Sequence, residues 1–135
     1  MRASAVLILG IAAMSQQIPE SDWKTLRELK PMLLERFCRR VLADVTQMAN
    51  NNSETYHERY SRIFRLLQEG DDDLARAFDD IRRSNAIQKL TAIRMLGLLD
   101  DEEFVRFRPE TRTLIDELVS IHRSRSQPGR RCLEA

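Results

Sequence analysis

The chain has few residues that break or cross-link a fold. It contains four glycines, four prolines and two cysteines among 135 residues. A sheet protein with many tight turns would need more glycine and proline than this. Because Leu, Arg, Glu, Asp and Ala are common instead, the composition indicates an all-helical protein.

The cysteines do not form a recognisable pair. Cys38 falls on a predicted helix and Cys132 lies in the last stretch of the sequence, with no CxxC spacing. A zinc site or a disulfide framework is therefore unsupported, and we interpret the two residues as a packed thiol and a tail thiol. The lack of a disulfide pattern fits the cytoplasm better than an oxidising compartment.

The small net charge and the low number of histidines also restrict the functions that the sequence can indicate. The 22 basic and 21 acidic residues leave a net charge of +1, so no overall field favours nucleic acid or a membrane surface. The chain has two histidines, His57 and His122, and no nucleophile elbow, phosphate-binding glycine loop, HExxH motif or dinucleotide fingerprint. We therefore predict no catalytic residues, no cofactor, no metal and no small-molecule substrate.

One short motif has metal-ligand spacing. Glu54 and His57 match the Glu-x-x-His pattern that places two ligands on one face of a helix. A di-iron bundle needs a second copy, and no glutamate stands three residues before His122. We therefore interpret His57 as a half-exposed residue in the first turn of a helix, beside Tyr56.

Residues 1–13 differ from the rest of the chain. One arginine is followed by an apolar run over residues 3–13, which is too short to span a bilayer. The run has the length of a minimal signal peptide, in which case the protein would be exported. We favour a start codon placed too early, because Met14 opens the ordinary polar beginning "MSQQIPESDWK". We leave residues 1–13 out of the predicted fold and expect a cytoplasmic protein.

The first predicted element lies within residues 21–49. Ser21 can cap a helix and Asp22 suits its positive end, while apolar residues recur at helical spacing up to Met48. Pro31 interrupts this pattern, so we expect one helix to end before it and a second helix to begin there. Three asparagines at 50–52 are expected to end the element.

The next predicted helix begins at a capping box. Thr55 and Glu58 have the required spacing, and an apolar face follows from Tyr56 to Leu67. Gly70 is a natural residue to follow a helix end. We therefore expect this helix to stop at Gly70 and another helix to begin with Asp71 as its cap.

Five aspartates lie within residues 71–80. An EF-hand loop fails on spacing, because the sixth and twelfth positions counted from Asp71 are both arginine. The spacing instead predicts ion pairs at helical separations, which are typical of a solvated helix surface. The predicted partners are Asp72 with Arg76, Arg76 with Asp79 and Asp80, Asp79 with Arg82 and Arg83, and Asp80 with Arg83.

The stretch over residues 86–99 is apolar around most of its circumference. A helix of this kind lies at the centre of a core or in an interface. Gly97 is expected to end it, and Asp100 with Glu103 has the spacing of a capping box for a short helix.

The last predicted helix opens with Pro109 at its first position. From residue 123 the periodicity is lost, which predicts a basic, disordered tail over residues 123–135. The predicted fold is an all-α, single-domain bundle of about five or six short helices in residues 14–122. A chain of 135 residues can bury such a core without disulfides or metal.

Arginine clusters suggest a second kind of partner. Phosphate groups are bound by such side chains, and the tail has little acid to neutralise them. Against this, Glu35 can pair with Arg39, and residues 86–96 are too apolar for a DNA-recognition helix. The possible nucleic-acid contacts are Arg36, Arg39, Arg40, Arg123, Arg125, Arg130 and Arg131.

Two resemblances are visible in the sequence. The stretches "SDWKTLRELKPMLLERFCRRVL", "SETYHERY", "FDDIRRSNA", "GLLDDEEF" and "RPETR" together resemble a group of small, uncharacterised bacterial helical proteins. That resemblance covers most of residues 21–120 and implies a shared fold but no known activity. Residues 87–107 are similar to SHOCT-type modules, which implies a short helical hairpin for oligomerisation. Pro109 stands where those modules continue into a lysine-rich helix, which puts the hairpin in doubt.

The leading hypothesis is a non-catalytic, small helical interaction protein that associates with itself or docks on a protein partner. The apolar excess of residues 86–99 motivates it, and aromatic residues near element ends can serve as core or as contact anchors. Nucleic-acid binding through the arginines and the basic tail is the alternative, and no membrane span is expected. The predicted protein contacts are Met95, Leu98, Leu99, Phe104 and Phe107.

Overall fold

The computed structural model describes residues 18–126, which form five helices and no strand. This confirms the predicted all-α bundle, although two of the helices are long. One cluster of buried side chains forms the core. The helices are α1 (Glu20–Ala49), α2 (Tyr56–Phe78), α3 (Ala86–Met95), α4 (Asp101–Phe104) and α5 (Pro109–Ser126).

Helix α1 runs through Pro31 without a break, so the predicted break there is wrong. An interior proline costs a helix about 3 kcal/mol relative to alanine. The core accounts for the continuity, because the apolar face keeps its register across Pro31 and buries residues on both sides of it. Pro31 itself is exposed. The buried apolar residues of α1 are Leu26, Leu29, Leu33 and Phe37.

Helix α2 begins at the predicted capping box and continues past the predicted end. Thr55 accepts a hydrogen bond from the Glu58 backbone, and the Glu58 carboxylate accepts one from the Thr55 backbone. Gly70 is inside the helix, so the expected end there and the expected cap at Asp71 are both wrong. A Cβ at Gly70 would lie 3.9 Å from both Phe37 Cζ and Val41 Cγ2, because α1 packs closely there.

The short helices follow the predicted signals. Gly97, at a φ of 70°, turns the chain just after α3 ends at Met95. Asp100 and Glu103 form both hydrogen bonds of the capping box that begins α4. Pro109 opens α5, as expected for a residue without a backbone N–H.

Helix α5 extends further than expected. It continues through Arg123 and Arg125 to Ser126, so the expected start of a disordered tail at residue 123 is corrected. Basic side chains in the last turn interact favourably with the helix dipole, which accounts for the extension. The predictions for residues 1–13 and for the rest of the tail lie outside the described residues.

A buried carboxylate joins α1 to α5. Asp22 is 1% exposed, and its Oδ1 accepts a hydrogen bond from the Arg108 backbone at 3.0 Å. Its Oδ2 accepts a bond of 2.5 Å from the Thr111 hydroxyl. Asp22 therefore caps α5 from another helix, because these donors lie at the N-terminus of α5. The sequence interpretation had placed Asp22 only in the first turn of its own helix.

Candidate functional site

Four of the five predicted protein-contact residues belong to the core. Leu98, Leu99, Phe104 and Phe107 are between 1% and 6% exposed, so the prediction that they form a contact surface is corrected. The apolar excess of residues 86–99 fills the interior of the chain itself. Met95 differs from the other four, at 40% exposed.

Three arginines donate hydrogen bonds to the loop that carries Leu98 and Leu99. Arg36 donates to the Leu98 carbonyl, and Arg40 donates to the carbonyls of residues 96 and 97. Arg94 donates to the Leu99 carbonyl at 2.7 Å. These bonds satisfy carbonyls that follow the end of α3 and have no partner within that helix.

Arg36 also forms an ion pair with Glu103. Its Nη1 lies 2.7 Å from Glu103 Oε1 and its Nη2 lies 3.1 Å from Oε2. The hydrogen bond from Arg36 lowers the pKa of the Glu103 carboxyl, and the same bond raises the pKa of the Arg36 guanidinium. The pair therefore links α1 to α4 as part of the fold.

Some of the arginines predicted to contact nucleic acid form hydrogen bonds within the fold instead. Arg36 and Arg40 are engaged with the loop described above. Arg39 is exposed on α1, whereas Arg123 and Arg125 are exposed on the last turns of α5. Arg130 and Arg131 lie outside the described residues, so the structure does not place them.

Glu54 and His57 do not share a ligand set. Glu54 Oε1 pairs with Arg62 Nη1 at 2.5 Å and accepts a hydrogen bond from Asn51 at 2.9 Å. His57 is exposed in the first turn of α2. Within residues 18–126, no three side chains of His, Cys, Asp or Glu come together as a metal site.

The aspartate run lies inside α2 and just beyond it. Successive residues of a helix point about 100° apart, so Asp71, Asp72 and Asp73 face three different directions. Of the predicted pairs none forms. Arg76 approaches Asp73 at 3.7 Å instead. After the helix end the pairs are Arg82 with Asp80 and Arg83 with Glu20, both at 3.0 Å.

The structure agrees with the expectation for one of the two cysteines. Cys38 is a free thiol, half-buried on α1 against the core. Cys132 lies beyond the last residue that the structure describes.

The clearest departure from a simple bundle is the helical arm, which we define as residues 38–76. It comprises the C-terminal part of α1, the turn and most of α2. No residue of the arm is buried, whereas the core draws on residues before and after it. Its two helices run antiparallel, since Arg59 donates to the Ala49 carbonyl at the tip and Gly70 meets Phe37 at the base.

Large apolar side chains lie exposed along one line of the arm. They recur at intervals of four, four and three residues, which keeps them on one side of α2. Two are aromatic residues with much of their surface free: Tyr60 is 71% exposed and Phe64 is 54% exposed. We call this set the arm stripe: Tyr56, Tyr60, Phe64 and Leu67.

The arm stripe faces away from a groove between the two helices. That groove has a volume of about 220 Å³ and is lined by Phe37, Val41 and Leu66, among others, but by no member of the arm stripe. Over the arm, Val41, Val45 and Met48 of α1 are half-buried and Leu42 is exposed. The second half of α1 therefore covers only part of the apolar face of α2.

Met95 belongs to a second surface. It lines a groove of about 660 Å³ together with Ala92 and Leu118, on α3 and α5. Lys89 stands at this groove, but its ammonium group donates to the carbonyls of residues 75 and 76. The cation is therefore already used to cap the end of α2.

Comparisons give no relative from which a role could be inferred. No family model matches the chain, and neither a curated protein nor a solved structure matches it. The two resemblances noted in the sequence stay predictions. None of the helices in residues 18–126 is both long enough and apolar enough to cross a bilayer.

Proposed function

We propose that this chain is a non-catalytic interaction protein that docks on a protein surface, its own or that of another protein, through the arm stripe. The observation that carries the proposal is the exposure of Tyr60, Phe64 and Leu67 on an arm without a buried residue. Isolated apolar residues on a surface need no explanation, but a continuous line of them is typical of an interaction site.

The composition of the arm stripe supports the same proposal. Tyrosine and phenylalanine bury much apolar area while losing little side-chain freedom, and aromatic residues are enriched at the centres of interfaces. At the tip the Arg59 guanidinium stacks 4.5 Å from the Tyr56 ring centroid. This contact holds one end of the arm stripe in place before any partner binds.

The nucleic-acid alternative is less well supported. Two of its arginines, Arg36 and Arg40, form hydrogen bonds that hold the fold together. Of the other predicted contacts that the structure describes, Arg39 lies on α1, whereas Arg123 and Arg125 lie on α5. Binding to a nucleic acid with an affinity that falls as the salt concentration rises would support that alternative.

The test is site-specific photocrosslinking in the native cell. A benzoylphenylalanine in place of Tyr60 is expected to give protein adducts, because the side chain enters the interface. The same group in place of Glu117, an exposed residue of α5, is the matched control and should give none. Adding Phe64→Ser and Leu67→Ser should abolish the adducts at position 60. Equal adducts at both positions, or none at either, would contradict the proposal.

Core variants separate docking from folding. Leu98→Ser combined with Leu99→Ser should unfold the chain, because both side chains are buried and each serine would replace core contacts. Tyr60→Ser combined with Phe64→Ser should keep the helical circular dichroism signal and the melting temperature close to the parent values. Unfolding of the second variant would mean that the arm stripe stabilises the monomer.

A further inference from the structure

We propose that the groove between α3 and α5 binds an aliphatic carboxylate, which is a molecule with an apolar chain and one carboxylate end. This site is separate from the arm stripe, so the inference goes beyond the proposed function and does not depend on it. The groove has a volume of about 660 Å³, which is within the range of pockets that hold small organic ligands. We call it the α3–α5 groove.

One part of the lining of the α3–α5 groove is apolar. Ala92 and Leu118 pack against the buried core and also line the groove, and Met95 lines it with 40% of its surface exposed. Ile121 is 50% exposed and lies three residues after Leu118, so the two are neighbours on the surface of α5. Methionine adapts its shape to an apolar contact. An aliphatic chain in this groove would therefore bury apolar surface that water now contacts.

The ionisable side chains that line the groove are all basic. Arg76, Lys89 and His122 line it, and none of the described lining residues is an aspartate or a glutamate. Arg125 lies seven residues after Leu118, about two turns, so it adds a further cation on the same side of α5. The whole chain has 22 basic and 21 acidic residues, so the groove differs in sign from the nearly neutral average. A basic groove favours a ligand with a negative end.

Lys89 is held in position to meet that negative end. Its Nζ donates to the carbonyl oxygens of residues 75 and 76, at 3.2 Å and 3.0 Å. An ammonium group has three N–H donors, so these two bonds leave one donor unused. Within the described residues no acid forms an ion pair with Lys89, so its charge has no counter-ion. The ammonium is therefore fixed at the groove before a ligand arrives, which lowers the entropy cost of binding.

Arg76 supplies a second cation beside Lys89, whose ammonium bonds to the Arg76 carbonyl. Its guanidinium lies 3.7 Å from Asp73 Oδ1, which is longer than a normal hydrogen bond, and its side chain is 73% exposed. Because this pairing is weak, the guanidinium is free to turn towards a bound carboxylate. Arginine can bind a carboxylate through two parallel hydrogen bonds.

The cations and the apolar residues are close enough for one molecule to contact both. Lys89 and Met95 are six residues apart on α3, which is about 9 Å along the helix axis. A ten-carbon carboxylate is long enough to place its head at Lys89 and its chain along Ala92 and Met95.

The test is isothermal titration calorimetry of the full chain with decanoate, below the concentration at which decanoate forms micelles. Decyltrimethylammonium has the same chain and a positive head, so it is the matched control ligand. We expect decanoate to bind at one site. Decyltrimethylammonium should bind about tenfold more weakly or not at all, because the ionisable lining is basic.

Two variants place the binding in this groove. Arg76→Gln removes a cation and should weaken decanoate binding about tenfold, and Met95→Ser removes an apolar contact and should weaken it about fivefold. The matched controls are Arg65→Gln on the arm and Met32→Ser on α1, where Met32 is 43% exposed. Both lie outside the groove and should keep the parent affinity. Melting temperatures show which variants are folded, and if Met95→Ser unfolds, Arg76→Gln decides alone.

Tighter binding of decanoate than of decyltrimethylammonium, weakened in the folded groove variants and kept in the controls, supports the site. No binding of decanoate, equal binding of the two ligands, unchanged affinity in a folded groove variant, or an equal loss in the controls would each overturn it. Tyr60→Ser combined with Phe64→Ser should leave decanoate binding intact. Failure of the arm stripe and failure of the α3–α5 groove are therefore separate results.

Discussion

At the scale of single residues, two charged side chains in the described part of the chain form hydrogen bonds that hold the fold together. Asp22 caps a helix from outside, and Arg36 joins two helices and a loop. A carboxylate and a guanidinium can each bind a ligand, but the partners of these two side chains are groups of the same chain. The exposed aromatic side chains of the described residues, Tyr56, Tyr60 and Phe64, all lie on the arm, which is why the proposed function concerns that region.

The ion pair between Arg36 and Glu103 predicts a particular dependence on pH. The pKa of Glu103 is lower in the folded chain than in the unfolded chain because of the bond from Arg36. The contribution of the pair to stability is therefore complete above the unfolded pKa, about 4.3, and is lost as the pH falls through the lower folded pKa. Glu103→Gln should reduce the free energy of unfolding by about 1–2 kcal/mol at pH 7.

Urea unfolding of the parent and of Glu103→Gln, from pH 7 to pH 3, checks this prediction. The difference should shrink below about pH 4, where the parent loses the charge. Glutamine can keep the hydrogen bond from the Asp100 backbone, so the variant isolates the pairing with Arg36. Glu102→Gln, at an exposed neighbour, is the control. A difference that stays constant down to pH 3 would contradict the assignment.

At the scale of helices, two glycines that look alike in sequence have opposite roles. Gly70 lies in the middle of α2 with ordinary contact distance around its missing Cβ. Gly97 has a φ of 70°, which a residue with a side chain adopts at a cost. Gly70→Ala should therefore raise the free energy of unfolding by about 0.5–1 kcal/mol. Gly97→Ala should lower it by about 1 kcal/mol.

Thermal and urea unfolding of the two alanine variants measures both effects, and each variant is the control for the other. The opposite signs are the informative result. A destabilising Gly70→Ala would indicate that α2 ends there, as its sequence alone suggests.

The same elements show what could be predicted from the sequence. The capping boxes at Thr55 and Asp100 were found because they depend on residues three apart. The helix ends expected at Pro31 and Gly70 were wrong because packing against distant residues overrides a local preference. Similarly, Leu98 and Leu99 read as apolar in sequence, and only the assembled fold places them in the core.

The arm stripe was visible in the sequence as an apolar helical face, but not as an exposed one. Whether Tyr60 and Phe64 are covered depends on the opposite stretch of α1, where Val41, Val45 and Met48 are half-buried and Leu42 points away. Matching two helices across a turn requires knowing that they are partners. That information is absent from the periodicity of either helix alone.

At the scale of the whole molecule, the chain divides into a core and a thinly supported arm. Stability is not uniform within proteins, and segments with few buried contacts open at low free energy. Amide hydrogen exchange should therefore be faster in residues 42–66 than in α3 and α5, when it is measured at concentrations where the chain is monomeric. Slow exchange throughout the arm in the monomer would contradict this division.

The same measurement responds to association. If the arm stripe binds a second copy of the chain, protection in residues 56–67 should rise with protein concentration, while α5 should stay unchanged. The double variant Tyr60→Ser and Phe64→Ser should remove the concentration dependence without altering exchange in the core.

The buried carboxylate of Asp22 has a consequence for synthesis on the ribosome. Its hydrogen-bond donors, the Arg108 backbone and the Thr111 hydroxyl, are translated more than eighty residues later. A nascent chain from which only α1 and α2 have emerged therefore lacks both donors for the Asp22 carboxylate, which the folded chain buries. The native interior can be completed only after α5 has left the exit tunnel. The two helices of the arm can pack against each other much earlier.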